Sequence, residues 1–574
     1  MGLRALFAPV TTYRLELSVF GVLALLIALA SLAIPWLAAR MLAEIIAGID
    51  AGLAHTAVVL LAVVAGLALL CIANGLLASS LETRIEADLR VNLLGHVQRL
   101  PLGFFDHNRQ GDLLALLTRE ISCLSSAVAN ALAVTPAAVL VGTGTIMILF
   151  VTHPAIACIL LVLLLVFVGV LARLGVQVRS FSANVQQAEA GVFAAAADSL
   201  ENMQDIKGLV REEERLGVFN QVTGKARRLK VLARKWDTVL PAATLFATAC
   251  TVIAILLVLD QSEWSNRLTL AQVLSLLFYT CLLGGAVCAM AQSYLRLASA
   301  QGALGRLQHV LQEAPEAGYG PIAQSRGQGA WISFRDVWFS YRGQEDTLRS
   351  LELDIKSGEI VGLAGDVGAG KTTIAQLLMG FYQPRHGQIL LNGVDISTMN
   401  VRELRQSIGY VPERPILQCG TVRDNLLLGL ENVTEAAIEQ ACGLAQAHDF
   451  IIGLPKGYHT ETGDRGVRLS QGERKRIALA RILLRNSPII ILDGIAGICD
   501  HDDGAALLHA CRGTLADRTV ILISRRVQNL AFADRILMLA NGGINTVARR
   551  PSLISIASDE PTRGRGANAV VRNS

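Results

Sequence analysis

Gly365-Asp366-Val367-Gly368-Ala369-Gly370-Lys371-Thr372-Thr373 puts three glycines, an ammonium and two hydroxyls at the spacing GxxxxGKT. Glycines let successive backbone N–H groups curl around an anion, and a helix that starts at the same point adds its own free N–H groups. In such a loop Lys371 meets the outer phosphate oxygens of a nucleotide and Thr372 meets a magnesium ion. The chemistry is recognition of a nucleoside triphosphate with Mg2+, that is, ATP-type binding through residues 365–373. A second element fits beside it. Ile489-Ile490-Ile491-Leu492-Asp493 reads as a buried strand ending in a carboxylate, suited to hold the magnesium through water.

A phosphate loop needs a strand before it and a helix after it. Ile360–Ala364 is apolar and strand-like, and Ile374–Met379 reads as helix. From Trp331 to about Arg550, short β-rich runs alternate with helical ones, which predicts an α/β domain over 331–550. Residues 313–330, with Pro315, Gly318, Gly320, Pro321, Gly327 and Gly329, read as a linker, and 551–574 as a disordered tail.

The first half of the chain is different in kind. Of 574 residues, 52% are hydrophobic and only 17% charged, against about 25% charged in an average soluble protein. The apolar surplus lies before residue 300, in six stretches long enough to cross about 30 Å of hydrocarbon: roughly 17–39, 56–79, 131–152, 155–175, 239–259 and 268–295. Residues 1–312 are therefore expected to form an α-helical membrane domain. Arg84, Arg90, Arg99, Arg109 and Arg119 fall between spans two and three, and nine lysines and arginines from Lys207 to Lys235 fall between four and five. Lysine and arginine resist translocation, so these loops and both termini are expected in the cytoplasm. Both loops are rich in helix formers, so the membrane helices should continue beyond the bilayer, with bends near 104–112 and 200–207. Lys plus Arg number 51 against 47 Asp plus Glu, too small an excess to suggest a nucleic-acid partner. Ten cysteines form no CxxC pair, which argues against a metal cluster.

Further motifs complete a pattern. Arg468-Leu469-Ser470-Gln471-Gly472-Glu473 opens a basic helix, Thr460–Gly466 reads TETGDRG, and Tyr341 ends Val337-Trp338-Phe339-Ser340-Tyr341. With the phosphate loop and six spans, the chain resembles the ATP-binding cassette family over nearly all of residues 1–550, in the form of one half of an exporter. The resemblance implies six long transmembrane helices with cytoplasmic extensions, followed by a P-loop NTPase cassette with a helical subdomain. It implies ATP and Mg2+ as cofactors, Tyr341 as the aromatic on adenine, and the two loop bends as coupling helices. Ser470 and Gly472, the core of the LSGGQ-like signature, would serve the ATP of a second subunit.

Three positions depart from the family pattern. The glutamate expected after Asp493 is Gly494, the switch histidine is Arg525 in Ile523-Ser524-Arg525, and the magnesium-sensing glutamine is Glu413 in Tyr410-Val411-Pro412-Glu413. The first removes a general base worth roughly 10²–10⁴ in rate. Lys371, Thr372, Asp493 and Tyr341 survive. The expectation is a subunit that binds ATP, hydrolyses it poorly and lends its signature to a more active partner in a heterodimer, with a homodimer as the alternative. Trp36, Asn74, Phe246, Tyr279 and Gln292 are candidate cavity residues for an amphipathic or lipophilic small-molecule cargo. Composition points to a bacterial inner membrane. Import of a siderophore-like cargo on the same scaffold, and an ATP-binding regulatory protein that transports nothing, stand as alternatives.

Overall fold

The computed structural model describes residues 14–48, 50–108, 110–261, 269–316, 330–494 and 512–549, apart from Arg342, Gln344, Asp464, Arg465 and Ala516. The chain divides into two compact units, one of Met1–Leu100 with Phe104–Pro315, the other of Pro101–Gly103 with Glu316–Ser574.

The first unit is built from long helices: α1 (Arg14–Ile46), α2 (Asp50–Val97), the short α3 (Leu102–His107) and α4 (Gln110–Ala115), α5 (Ile121–Thr152), α6 (Pro154–Glu201), the short α7 (Met203–Gly208), α8 (Glu212–Gln261) and α9 (Leu270–Gln312). Among the described residues four helices are long and apolar enough to cross a membrane, Arg14–Ile46, Gly52–Val97, Gln110–Thr152 and Leu270–Gln312, and Pro241–Leu256 is a shorter apolar helix. The chain is a multi-pass membrane protein. The 48 residues of α6, at 1.5 Å each, give about 72 Å, more than twice the hydrocarbon thickness. The expected extensions are thus continuous helix. Both expected bends are short helices flanked by breaks, α3 in the first loop and α7 in the second. Thr269 fixes the start of α9 with a capping box: its hydroxyl accepts from Gln272 N–H, and the Gln272 side chain accepts from Thr269 N–H.

The second unit carries two sheets. β1 (Ile332–Phe339), β2 (Leu348–Ile355), β4 (His386–Leu391) and β5 (Val394–Asp395) form an antiparallel sheet in the order β2-β1-β4-β5. β3 (Ile360–Gly365), β6 (Ile408–Val411), β7 (Ile489–Asp493), β8 (Thr519–Ser524), β9 (Arg535–Ala540) and β10 (Gly543–Arg549) form the second, in the order β10-β9-β3-β8-β7-β6. In this sheet β3, β8, β7 and β6 are parallel neighbours, so β3 and β7 end on the same side with β8 between them. Every residue of β3, β7 and β8 is buried. Continuous apolar runs of this kind belong to parallel strands covered on both faces. Helix α10 (Lys371–Leu378) follows β3, and α11 (Val401–Ser407) precedes β6. A group of helices lies between β6 and β7: α12 (Val422–Leu426), α13 (Glu435–Leu444), α14 (His448–Ile452) and the amphipathic α15 (Gln471–Arg485). This is the expected α/β cassette with a helical subdomain. Residues 317–329 of the expected linker and the expected tail at 551–574 lie outside the described residues.

Phe334 is completely buried on β1 among Ile332, Leu351 and Ile389. Phe334→Ala should cost the cassette about 3–5 kcal/mol, read as a lower denaturant midpoint of its unfolding transition. A loss under about 1 kcal/mol would show that this core is not closely packed.

Candidate functional site

The phosphate loop sits where sequence spacing puts it, between the carboxyl end of β3 and the N-terminus of α10, which starts at Lys371, three residues earlier than the sequence suggests. Gly370 makes the turn possible. It caps the helix with φ +98°, and a Cβ there would stand 2.6 Å from Leu348 Cδ2. Lys371 is 8% exposed as a residue, and its ammonium folds back on the loop, donating to the carbonyls of Gly365 at 2.7 Å and Asp366 at 2.6 Å. Burial lowers its pKa, while the nearby Asp493 carboxylate opposes that shift. Gly368, Ala369 and Thr373 complete the loop, Thr373 buried and Val367 78% exposed at its tip.

The parallel pairing of β3, β8 and β7 brings the second element alongside. Thr372 Oγ1 donates to Asp493 Oδ2 at 2.9 Å, joining residues 121 positions apart. Burial raises the Asp493 pKa, and the Thr372 hydrogen bond works against the rise. A hydroxyl and a carboxylate oxygen held this close are hard oxygen donors suited to Mg2+, so the site fits the metal and the triphosphate that the phosphate loop implies. Mg2+ bound here would offset phosphate charge; the chain's own residues hold, orient and cover the nucleotide.

The three departures from the family pattern converge on one spot. Gly494 has φ +68°; its N–H donates to Ile523 O at 2.9 Å and its carbonyl accepts from Lys475 Nζ at 2.8 Å. A Cβ at 494 would meet Glu413 Cγ at 3.1 Å and Lys475 Nζ at 3.7 Å. Glu413 Oε1 in turn accepts from Arg525 Nη2 at 3.0 Å. Glu413, expected beside magnesium, and Arg525, expected near the outer phosphate, are therefore engaged with each other. The pair is half-exposed, so its effect is on geometry more than on stability. Lys475 escaped the sequence reading because Arg474-Lys475-Arg476 looks like a solvated basic run.

The signature is built as a helix start. Ser470 caps α15 with its hydroxyl accepting from Glu473 N–H at 3.2 Å, and Glu473 Oε2 accepts from Ser470 N–H at 2.8 Å. Glu473 thus has a local role, a capping box. Ser470 and Gln471 are exposed and Gly472 half-buried beside them. Tyr341 is held by Phe339 and Tyr382, with edge-on rings 4.9 and 5.3 Å away, and by hydrogen bonds of its hydroxyl with Thr373 and Gln376 on the phosphate-loop helix.

In the membrane unit a cavity of about 480 Å³ lies between α1, α5 and α9, with Trp36, Arg40, Leu149, His153, Gln272 and Tyr279 in its lining. It unites two of the five candidate cargo residues, Trp36 and Tyr279. Asn74 donates to Ala133 O, Gln292 to Cys288 Sγ, and Phe246 is exposed elsewhere. Arg40, with its guanidinium 5.9 Å from the Trp36 ring centroid, lies just past the span expected from the sequence and was missed for that reason.

Comparison with known proteins agrees with this architecture. The family model described as the ABC transporter transmembrane region matches residues 17–300, and the one described as ABC transporter matches residues 348–496. The chain is 30% identical over 478 residues to the mitochondrial ATP-dependent permease MDL1 of Schizosaccharomyces pombe, which covers 81% of this chain and 65% of that one. It is 28% identical over 488 residues to the ATP-dependent lipid A-core flippase of Chromobacterium violaceum, 84% of this chain and 82% of the flippase. The structure of a bacterial Atm1-family ABC exporter with ATP bound overlays with a TM-score of 0.86 at 23% identity, over 93% of this chain and 95% of that one, a likeness of fold. The chain spans less than two thirds of the yeast permease's length. Two adjoining family models that together take in most of its residues, on a helical membrane unit followed by a phosphate-loop cassette, show that this chain belongs to the ABC transporter family, in its exporter-type half-transporter form.

Proposed function

We propose that the chain is the binding-competent, hydrolysis-poor half of a heterodimeric ABC exporter in a bacterial inner membrane, with both termini and the cassette in the cytoplasm. Its phosphate loop, Thr372 and Asp493 hold ATP with Mg2+, and Tyr341 lies beside the adenine. Its signature residues Ser470 and Gly472 complete the nucleotide site of a second half-transporter, which carries the general base. The observation that carries this reading is the spot around Gly494. The base is absent, the backbone adopts a left-handed conformation, and a Cβ at 494 would crowd Glu413 Cγ at 3.1 Å and touch Lys475 Nζ at 3.7 Å. A decayed site would have lost the phosphate loop as readily, whereas Lys371 remains folded into the loop and the Thr372 hydroxyl remains bonded to the Asp493 carboxylate.

The cargo on this reading is an amphipathic small molecule. The cavity between α1, α5 and α9 combines apolar walls with Arg40 and Gln272, a lining that suits a molecule with an apolar body and a polar or anionic head. One relative is named an ATP-dependent lipid A-core flippase, which supports a lipid-like cargo.

Two outcomes test the reading. Gly494→Glu alone should change single-turnover hydrolysis at this site by less than about twofold. The new side chain costs about 1–2 kcal/mol in a left-handed backbone and meets Glu413 and the Lys475 ammonium. Combining it with Glu413→Gln, Lys475→Gln and Arg525→His should raise the rate at least about tenfold, a part of what a general base supplies. A single variant as fast as the combination would show that these three neighbours do not hold the site inactive. Separately, Ser470→Arg should abolish steady-state ATPase of the two-subunit complex while this chain still photolabels with 8-azido-ATP. Loss of labelling here with ATPase intact would mean that the signature serves this chain's own nucleotide.

A further inference from the structure

Lys475 is buried, 5% exposed, within a run of three basic residues. The periodicity of α15 explains its direction: Lys475, Ala478, Leu479 and Ile482 fall on one face, and all are buried. An ammonium taken out of water needs compensating partners. This one donates to the Gly494 carbonyl at 2.8 Å and is attracted by the carboxylates of Glu413 and Asp493. It stands 3.7 Å from where a Cβ at 494 would be, next to the residue whose carboxylate pairs with Thr372.

The charges around it can be set against one another. Lys371 interacts with Asp493, Asp366, Glu413 and Arg525, and Lys475 joins the same cluster through Asp493 and Glu413. Lys371, Arg525 and Lys475 balance Asp366, Asp493 and Glu413. Without Lys475 the cluster is negative where a polyanionic triphosphate is to sit. At a site of that kind a divalent cation is needed to overcome repulsion between carboxylates and phosphates. A fixed ammonium in a partly buried position supplies the same offset, because Coulomb attraction over a few ångströms is strong when water is excluded.

We propose that Lys475 is a built-in counter-ion of the nucleotide site, through which this chain retains ATP when magnesium is withdrawn. The proposal rests on the ATP-binding reading above and adds to it a residue and a property, retention without metal. It makes Lys475 a positioning residue for the phosphate-facing carboxylates, through its hold on Gly494 and its charge.

The test is equilibrium binding of labelled ATP to the full chain in lipid nanodiscs, once with Mg2+ and once with EDTA. The readout is the ratio of the two dissociation constants. In the wild type, EDTA should weaken binding by less than about threefold; in Lys475→Gln the ratio should exceed about tenfold, a difference expected of one unshielded charge near phosphate. Lys475→Arg, which keeps the cation, should restore the wild-type ratio. The proposal is overturned if the wild type itself loses ATP more than about tenfold in EDTA, a result independent of whether any variant folds. It is equally overturned if Lys475→Gln weakens binding by the same factor with and without Mg2+, the mark of a merely structural lysine. Absence of ATP binding even with Mg2+ would overturn the nucleotide reading itself, and this proposal with it, and is distinguished from the other outcomes by the Mg2+ arm alone.

Discussion

A polyanion has to be held beside carboxylates, and this electrostatic constraint organises the cassette. Asp493 ends a fully buried strand, and its oxygen receives the Thr372 hydroxyl at 2.9 Å. Burial favours the neutral carboxyl, so a charged Asp493 depends on the Thr372 hydrogen bond and on the nearby cations Lys371 and Lys475. Lys371 comes from the phosphate loop, Lys475 from the signature helix, and Arg525 from the end of β8 by way of Glu413. Three separate segments of chain must be in place before these charges balance. The parallel order of β3, β8 and β7 is what brings two of them to one edge.

The membrane unit answers a different constraint. Lipid offers no hydrogen-bond partner, so each span must satisfy its own backbone as helix. The helices here run well beyond bilayer thickness, so the same rods that cross the membrane reach the level of short α3 and α7. Two polar side chains of the unit are tied across helices, Asn74 to the Ala133 carbonyl and Tyr279 to the Leu32 carbonyl, at 3.1 and 3.2 Å. The polar residues around the cavity follow the same rule, Arg40 donating to Glu44 Oε1 at 3.1 Å and Gln272 closing the cap of α9.

What the amino-acid order made legible was whatever is written in a local pattern. The phosphate loop, the strand that ends in Asp493, the long apolar stretches and the helical extensions each depend on neighbours within a few turns; the structure forms the loop, the strand and the extensions, and among the described residues four helices are long and apolar enough to be four of the six expected spans. The loss of the glutamate at 494 was equally plain. What it did not reveal was how the substituted positions meet. Glu413 and Arg525 are 112 residues apart and become partners only through the sheet. In the fold it is Glu413 that Arg525 holds, and Lys475 that lies beside 494. Lys475 was hidden by its basic neighbours, although the spacing 475, 478, 479, 482 marks it as inward-facing. The left-handed φ of Gly494 has no local signature beyond the glycine itself.

A hydrolysis-poor site keeps the nucleotide it binds. The most direct measurement is to load the two-subunit complex with ATP labelled in the α-phosphate and Mg2+ and let the partner turn over many times. The nucleotide crosslinked to this chain is then isolated and identified as ATP or ADP. It should still be ATP while free ADP has accumulated in solution. Recovery of ADP from this chain at the rate of the overall reaction would contradict a hydrolysis-poor site.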